Sequence, residues 1–541
     1  MPRRKTDHPR TRWLRLAALV AALALAVAAC GGTSSGNASS GNNGGGNGGA
    51  ASTTLRTAFV ADMQVPDPDI FYETEGNQVV MSTYEGLVRY QQNPPTNALE
   101  GLLATSWEKS ADGKTYTFHL RSNVKFEDGT PMDSAAAKAS FERRPKVNQG
   151  PAYMLAQVAS YGTPDPLTFV VNLKQPVSAF MDYLAAPYGP KLLSPTAMTK
   201  YAKGGDFTQG YLKTHSIGTG PYYIKSFTLG QQYVLAANPN YWGAKPKITT
   251  IEINIVPDLS TQQLKIEGGD LDILHNLPAA TTNTFKTKSG FQVITIPALQ
   301  KSVLKINPQK APFNDLSLRQ ALRAAIDRNK LTSEIYGNLG TVSTQMLPAG
   351  MQPAGTGLDS YTYDPTLLPA AVKKLPSSSK SITIAYASGF VNDQRTAEAI
   401  QKVLADAGFN AKVTPITLAQ FFALRDQPES KVPNLLVETA NPDAAHPDTY
   451  LRIFFNTGGF LNYVKGGSKA ADAEMDRGLY TNDPAVVKDA YEKASQLVHD
   501  SATFVTIADV KGTFVATTKL KGWTSTGAAP LSLNFQSATL G

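Results

Sequence analysis

From Tyr116 to Arg121 the chain alternates apolar and polar side chains one for one: Tyr116, Phe118 and Leu120 against Thr117, His119 and Arg121. That period of two predicts a half-buried strand, and Asp112-Gly113 just before it is a hairpin turn pair. The same pattern recurs at Ile251, Ile253 and Ile255 against Glu252 and Asn254, which predicts a strand over 248–256. Further strands are predicted at 55–60, 167–173 and within 222–237, with a helix passing into extended chain over 81–90. Asp128-Gly129-Thr130-Pro131 turns the chain, and Asp133 offers an N-cap to a small-residue helix over 134–144. Leu318, Leu322, Ala325 and Ile326 share one face of a helix at 316–327. A second amphipathic helix, 395–407, stops at Gly408 and lies between strands 381–386 and 410–416, a βαβ unit with a parallel pair. Asp483-Pro484 is an N-cap followed by an N1 proline, and Val487, Ala490, Tyr491, Ala494 and Val498 form the buried stripe of the helix it opens. The final forty residues are predicted as short strands. The order is therefore β-rich, then α/β, then β again, the pattern of one domain interrupted by another, with a cleft between lobes where small ligands bind.

The first thirty residues follow a different logic. Six basic side chains from Arg3 to Arg15 precede an uncharged apolar run, Leu16 to Ala29, that closes on Val27-Ala28-Ala29-Cys30. This is the layout of a secretory signal, and the run is shorter than the ~20 residues a membrane helix needs. Val-Ala-Ala-Cys resembles the bacterial lipobox, in which the cysteine is diacylated. Cys30 is the single cysteine of 541 residues, so no internal disulfide is available to it. Two acyl chains would hold the protein stably at a membrane surface. From Gly31 to Thr54 the chain is uncharged Gly, Ser, Asn, Thr and Ala, a composition that cannot bury apolar area and acts as a tether.

Removing that leader changes the charge. The whole chain carries +8, of which residues 1–29 hold +5, leaving +3 on the rest. No clustered basic face follows Arg56, so nucleic acid is not an expected partner. An enzyme of the cell envelope is the rival class, and the expected motifs are missing: no G-x-S-x-G elbow in the body after the tether, no H-E-x-x-H, no phosphate loop. Six histidines show no metal-ligand spacing, and no cofactor or metal is expected.

Five segments in order carry a resemblance. Ser106 to Pro131, SWEKSADGKTYTFHLRSNVKFEDGTP, is similar to the signature stretch of the family 5 extracellular solute-binding proteins, the dipeptide- and oligopeptide-binding proteins of ABC importers. Ile217 to Tyr222 resembles the family's G-T-G-P-[YF] loop, and Asn238 to Trp242 its N-x-x-Y-W. Gly268 to Asp272 resembles its G-[DE]-[IL]-D turn, and Leu318 to Arg328 its R-Q-A-[LI]-x-x-A-I-D-R helix. The match runs from about residue 55 to 523. It implies an α/β fold of the type II periplasmic-binding-protein kind, two lobes with an extra subdomain in the first. The expected boundaries are a signal peptide at 1–29, a tether at 30–54, lobe I with its inserted subdomain at 55–300, lobe II at 301–505, and a return to lobe I at 506–541.

The resemblance also implies a function: capture of a small ligand, a peptide first among them, and delivery to ABC transporter permease subunits. The chain would act as a monomer on the outer face of the cell membrane, held by the Cys30 lipid. A peptide-sensing receptor of the same fold is the alternative role. Relatives also take nickel complexes, haem and sugars, but an oligosaccharide site needs aromatic platforms, and of four tryptophans Trp13 lies in the leader. Family members meet the peptide's α-ammonium with a buried carboxylate, since an isolated buried ammonium is very costly. Asp443 in Ala440 to Leu451 (ANPDAAHPDTYL) stands at that place, with Asn441 beside it and His446 where a second aspartate is usual. Asn441-Pro442-Asp443 is also turn chemistry, so a capping role for Asp443 stays open. Glu73, Thr74 and Glu75 lie in a loop expected to line the cleft, although loop glutamates are commonly solvated. Tyr84 and Glu85 are further candidates, with Tyr84 equally suited to the core, and Thr219-Gly220 could offer backbone donors.

Overall fold

The computed structural model describes residues 52–92, 95–351 and 362–541. The signal peptide, Cys30 and the tether up to Ala51 lie outside the described residues.

The opening strand, Thr54–Phe59, pairs in parallel with Thr250–Ile255, and Gln232–Ala237 and Tyr222–Thr228 complete a four-stranded sheet. Ile251 and Ile253 are fully buried, as the alternation requires. A second four-stranded sheet runs Ala104–Lys109, Thr115–Leu120, Thr168–Leu173, Val158–Asp165, all antiparallel. On it lies the helix Ser134–Val147, whose N-cap Asp133 accepts from the Ala136 amide. This sheet and helix form a subdomain between the first and last strands of the opening sheet.

The α/β half centres on Ser381–Ala387, parallel to both Asn410–Ile416 and Leu435–Ala440, with the helix Val391–Asp406 as the crossover. Gly408 ends that helix region at φ +96°, a conformation glycine takes without a Cβ clash. Its apolar core is separate from the rest, built from Leu304, Leu322, Ile384, Ile400, Leu404 and Val437 among others.

Two long strands tie the halves together. Phe291–Ile306 and Phe504–Thr517 are antiparallel neighbours through most of their length, and both belong to a seven-stranded sheet with the α/β strands. The expected boundaries at 300/301 and 505/506 fall inside these continuous strands. The short strands expected at the C-terminus are here one strand of 14 residues followed by two-residue pieces. Polar Asp509, Lys511 and Gly512 break its apolar pattern in the middle, so the sequence reads as two fragments. The ladder is irregular at the same level, with a register shift between Ile296 and Gln300.

One buried cluster pins the loop that follows the first strand. Arg143 pairs with Asp67 and Asp69 at 2.5 Å each, and Arg144, fully buried, meets Asp69 at 2.8 Å. Arg144 also donates to the carbonyls of Pro68, Tyr188 and Gly189 at 3.1, 2.7 and 3.0 Å. With every guanidinium nitrogen directed at an acceptor, the desolvation of four charges is offset and the loop has one position.

Candidate functional site

The carboxyl ends of parallel strands are where an open α/β sheet leaves room for a ligand. Here those ends deliver Ala387 and Phe390, Leu418 and Phe421, and Asn441 and Asp443 to one cavity. The opposite wall comes from the pinned loop, Tyr72 to Glu75, and from Tyr188, while Gln300, Val510, Lys511 and Thr513 of the two long strands close the back. The space not filled by protein atoms is about 1370 Å³ including the mouth.

Asp443 is 3% exposed. Its carboxylate accepts hydrogen bonds from the Tyr72 hydroxyl and, at 2.5 Å, from the Tyr153 hydroxyl. These bonds are to side chains from the far wall, not to local backbone amides, so the carboxylate is not capping the Asn-Pro-Asp turn. Burial pushes its carboxyl up to about 7, against the pull of the two tyrosine donors. No cationic side chain among the described residues pairs with it. Glu73, half-buried nearby, is pushed up to about 7 by burial. Glu75 is 3% exposed, with Oε2 2.9 Å from Nε2 of His275. Thr74 and Asn441 also line the cavity.

The other expected residues lie elsewhere. Glu85 is buried and receives Oγ1 of Thr219 at 2.8 Å, Nε1 of Trp242 at 2.8 Å and the Tyr241 hydroxyl at 3.3 Å. Its carboxyl, pushed up to about 7 by burial, ties the segment after the helix Asn77–Thr83 to the loops carrying Thr219 and Tyr241-Trp242. Tyr84 is in the core, and the Gly220 amide donates to the Thr83 carbonyl at 3.1 Å, so it has no spare donor for a ligand. His446 is buried edge-on against Tyr491, with Nδ1 accepting from the Asp448 amide at 3.2 Å. It shapes the turn after Asp443 and does not line the cavity. Among the described residues no three His, Cys, Asp or Glu side chains gather as a metal site would require.

Residues 98–462 match the family described as "Bacterial extracellular solute-binding proteins, family 5 Middle". The chain belongs to the family 5 extracellular solute-binding proteins. It is 30% identical over 452 residues to the probable D,D-dipeptide-binding periplasmic protein DdpA of Escherichia coli, covering 82% of this chain and 86% of that one. It is 31% identical over 333 residues to the nickel-binding periplasmic protein of the same species, 60% of this chain and 61% of the relative. Among solved structures, the periplasmic binding protein DppA of Helicobacter pylori, in complex with peptide STSA, superposes with a TM-score of 0.79 at 22% identity, covering 91% of this chain and 98% of that one. The fold is thus the type II periplasmic-binding-protein fold expected above, and this family 5 protein is a binding protein of an ABC transporter rather than an enzyme.

Several residues around the site of this family 5 protein carry no local signal. Tyr72 immediately precedes Glu73–Glu75, so the sequence points to its loop but not to the tyrosine itself. Tyr153, 290 residues before Asp443, and Tyr188, on the cavity wall, are brought to the site only by the tertiary fold. The paired Arg143-Arg144 in an otherwise small-residue helix, against Asp67-Pro68-Asp69, was the one available hint of the buried cluster that holds them.

Proposed function

We propose that this protein captures a peptide with a free N-terminus in the cavity and hands it, chemically unchanged, to the permease of an ABC importer. One observation carries the reading: Asp443 is a buried carboxylate on the cavity wall whose partners are two neutral hydroxyls. A peptide α-ammonium at that wall supplies the missing positive charge, and a charge-assisted hydrogen bond is about twice as strong as a neutral one. The two long strands, irregular at Ile296–Gln300, join two halves that would close over the ligand, which stabilises the closed state by its higher affinity for it. The lobe boundaries then lie within those strands. A diacylated Cys30 would keep the monomeric body at the outer membrane face, where the permease is.

Thermal-shift titration of the purified protein with small peptides, each free and N-acetylated, tests the binding claim. Saturable shifts with free peptides and none with acetylated ones support it; equal shifts with both overturn it. Uptake of labelled peptide, lost when the gene is deleted, separates import from a sensing role.

A further inference from the structure

We propose that the preferred ligand carries a second positive charge, a lysine- or arginine-like side chain, seated against Glu75. The inference rests on the peptide reading above and narrows it to basic peptides. Five carboxylates line the cavity, Glu73, Glu75, Asp393, Glu438 and Asp443, against one cationic side chain, the exposed Lys511. Two of the five are satisfied by protein. Glu438 pairs with Lys305 at 2.6 Å, and Asp393 accepts from Oγ1 of Thr439 at 2.8 Å and from the Thr439 amide at 3.3 Å. Asp443 is the α-ammonium site, and Glu73 accepts from the Gln64 amide at 3.2 Å through Oε2.

Glu75 differs from these. One oxygen is held by His275, whose ring packs edge-on against Phe59 at 5.7 Å, so the carboxylate has a fixed direction. The other, Oε1, accepts no hydrogen bond although the residue is almost wholly buried. A buried carboxylate oxygen without a donor is costly, more so than a neutral one. Oδ1 of Asn392 and Oδ1 of Asn441, on the facing wall, also accept none. These three are acceptors only, and the Tyr336 hydroxyl on the same cavity can accept as well as donate, so the complementary group is a multiple donor with positive charge. Aromatic rings also line the cavity, Tyr188, Phe390, Phe421 and Tyr463, and ring faces attract organic cations. Three peptide links separate Tyr72, which holds Asp443, from Glu75, so the two backbone positions are at most about 11 Å apart. Asp443 and Glu75 therefore meet the cavity through one short stretch of loop.

Calorimetric titration with Ala-Lys-Ala, Ala-Arg-Ala and the uncharged isostere Ala-norleucine-Ala tests this. The lysine and arginine peptides are expected to bind at least tenfold more tightly than the norleucine peptide. In Glu75→Gln that ratio should collapse toward one, whereas Asp443→Asn should weaken all three. A norleucine peptide as tight as the lysine peptide on the unaltered protein overturns the proposal whatever the variant does. So does a Glu75→Gln loss equal for all three, which makes Glu75 merely structural. Failure of every peptide to bind sinks the peptide reading itself, and this inference with it.

Discussion

Asparagine at position 443 keeps the side chain's shape and an acceptor for Tyr72 and Tyr153, and removes only the negative charge. In the complex proposed here that leaves a peptide ammonium buried beside neutral groups. Removing one partner of a buried pair costs about 3–5 kcal/mol. At about 1.36 kcal/mol per factor of ten, Asp443→Asn should weaken peptide binding by roughly 10²- to 10⁴-fold. A second signature follows from the carboxyl's position at about 7 in the empty protein. Ammonium binding needs it ionised, so below pH 7 binding must expel a proton. The affinity of the unaltered protein should then fall by up to about tenfold per pH unit on going down from pH 7. Above pH ~8 the peptide's own amine loses its charge, so the optimum lies between. Isothermal titration at pH 6 in two buffers of different ionisation enthalpy counts the proton directly: about one more should be released by the unaltered protein than by Asp443→Asn. Equal affinity in the two proteins, or equal proton release, would refute the assignment of Asp443 to the ammonium.

Four further outcomes are expected. Asp393, Asp443, Glu73, Glu85 and Glu127 are all pushed up to about 7 by burial, so the native state holds more protons than the unfolded chain between about pH 4 and 7. Stability of the ligand-free protein should therefore fall as pH rises through that window, read as a lower Tm at pH 8 than at pH 5; a Tm that rises instead contradicts the burial argument. Arg144→Ala strips a fully buried charge from its carboxylate and carbonyl partners and should destabilise by about 3–5 kcal/mol in denaturant melts. Gly220→Ala would place a Cβ 2.5 Å from the Ser82 carbonyl oxygen, and the forced shift should cost about 1–3 kcal/mol in the same assay. Cys30→Ser should move the protein from the membrane fraction to the soluble fraction, and continued membrane attachment would rule out the lipid anchor.

Local chemistry made much of this fold legible. Alternation at Tyr116–Leu120 and Ile251–Ile255, the caps at Asp133 and Asp483, and the βαβ unit around Val391–Asp406 all depend on neighbours in sequence. The long strand Phe504–Thr517 is not legible, because Asp509, paired with Lys301, and Lys511, on the cavity, break the apolar pattern in its middle. The same division runs through the site. Asp443 could be located from the segment around it, yet its tyrosine partners arrive from Tyr72 and Tyr153, hundreds of residues away. Glu85 and Thr219 look like ligand contacts in sequence because a buried carboxylate with many donors is equally good at organising a core. His446 sits two residues from an amide that it caps, and no pattern in sequence distinguishes that from a ligand contact.

The account stands most directly on where a bound peptide's amino terminus lies. A crystal structure with Ala-Lys-Ala should show the peptide enclosed in the cavity and intact, its α-nitrogen within hydrogen-bonding distance of the Asp443 carboxylate. A peptide cleaved, lodged outside the cavity, or turned so that its carboxyl end meets Asp443 would contradict it.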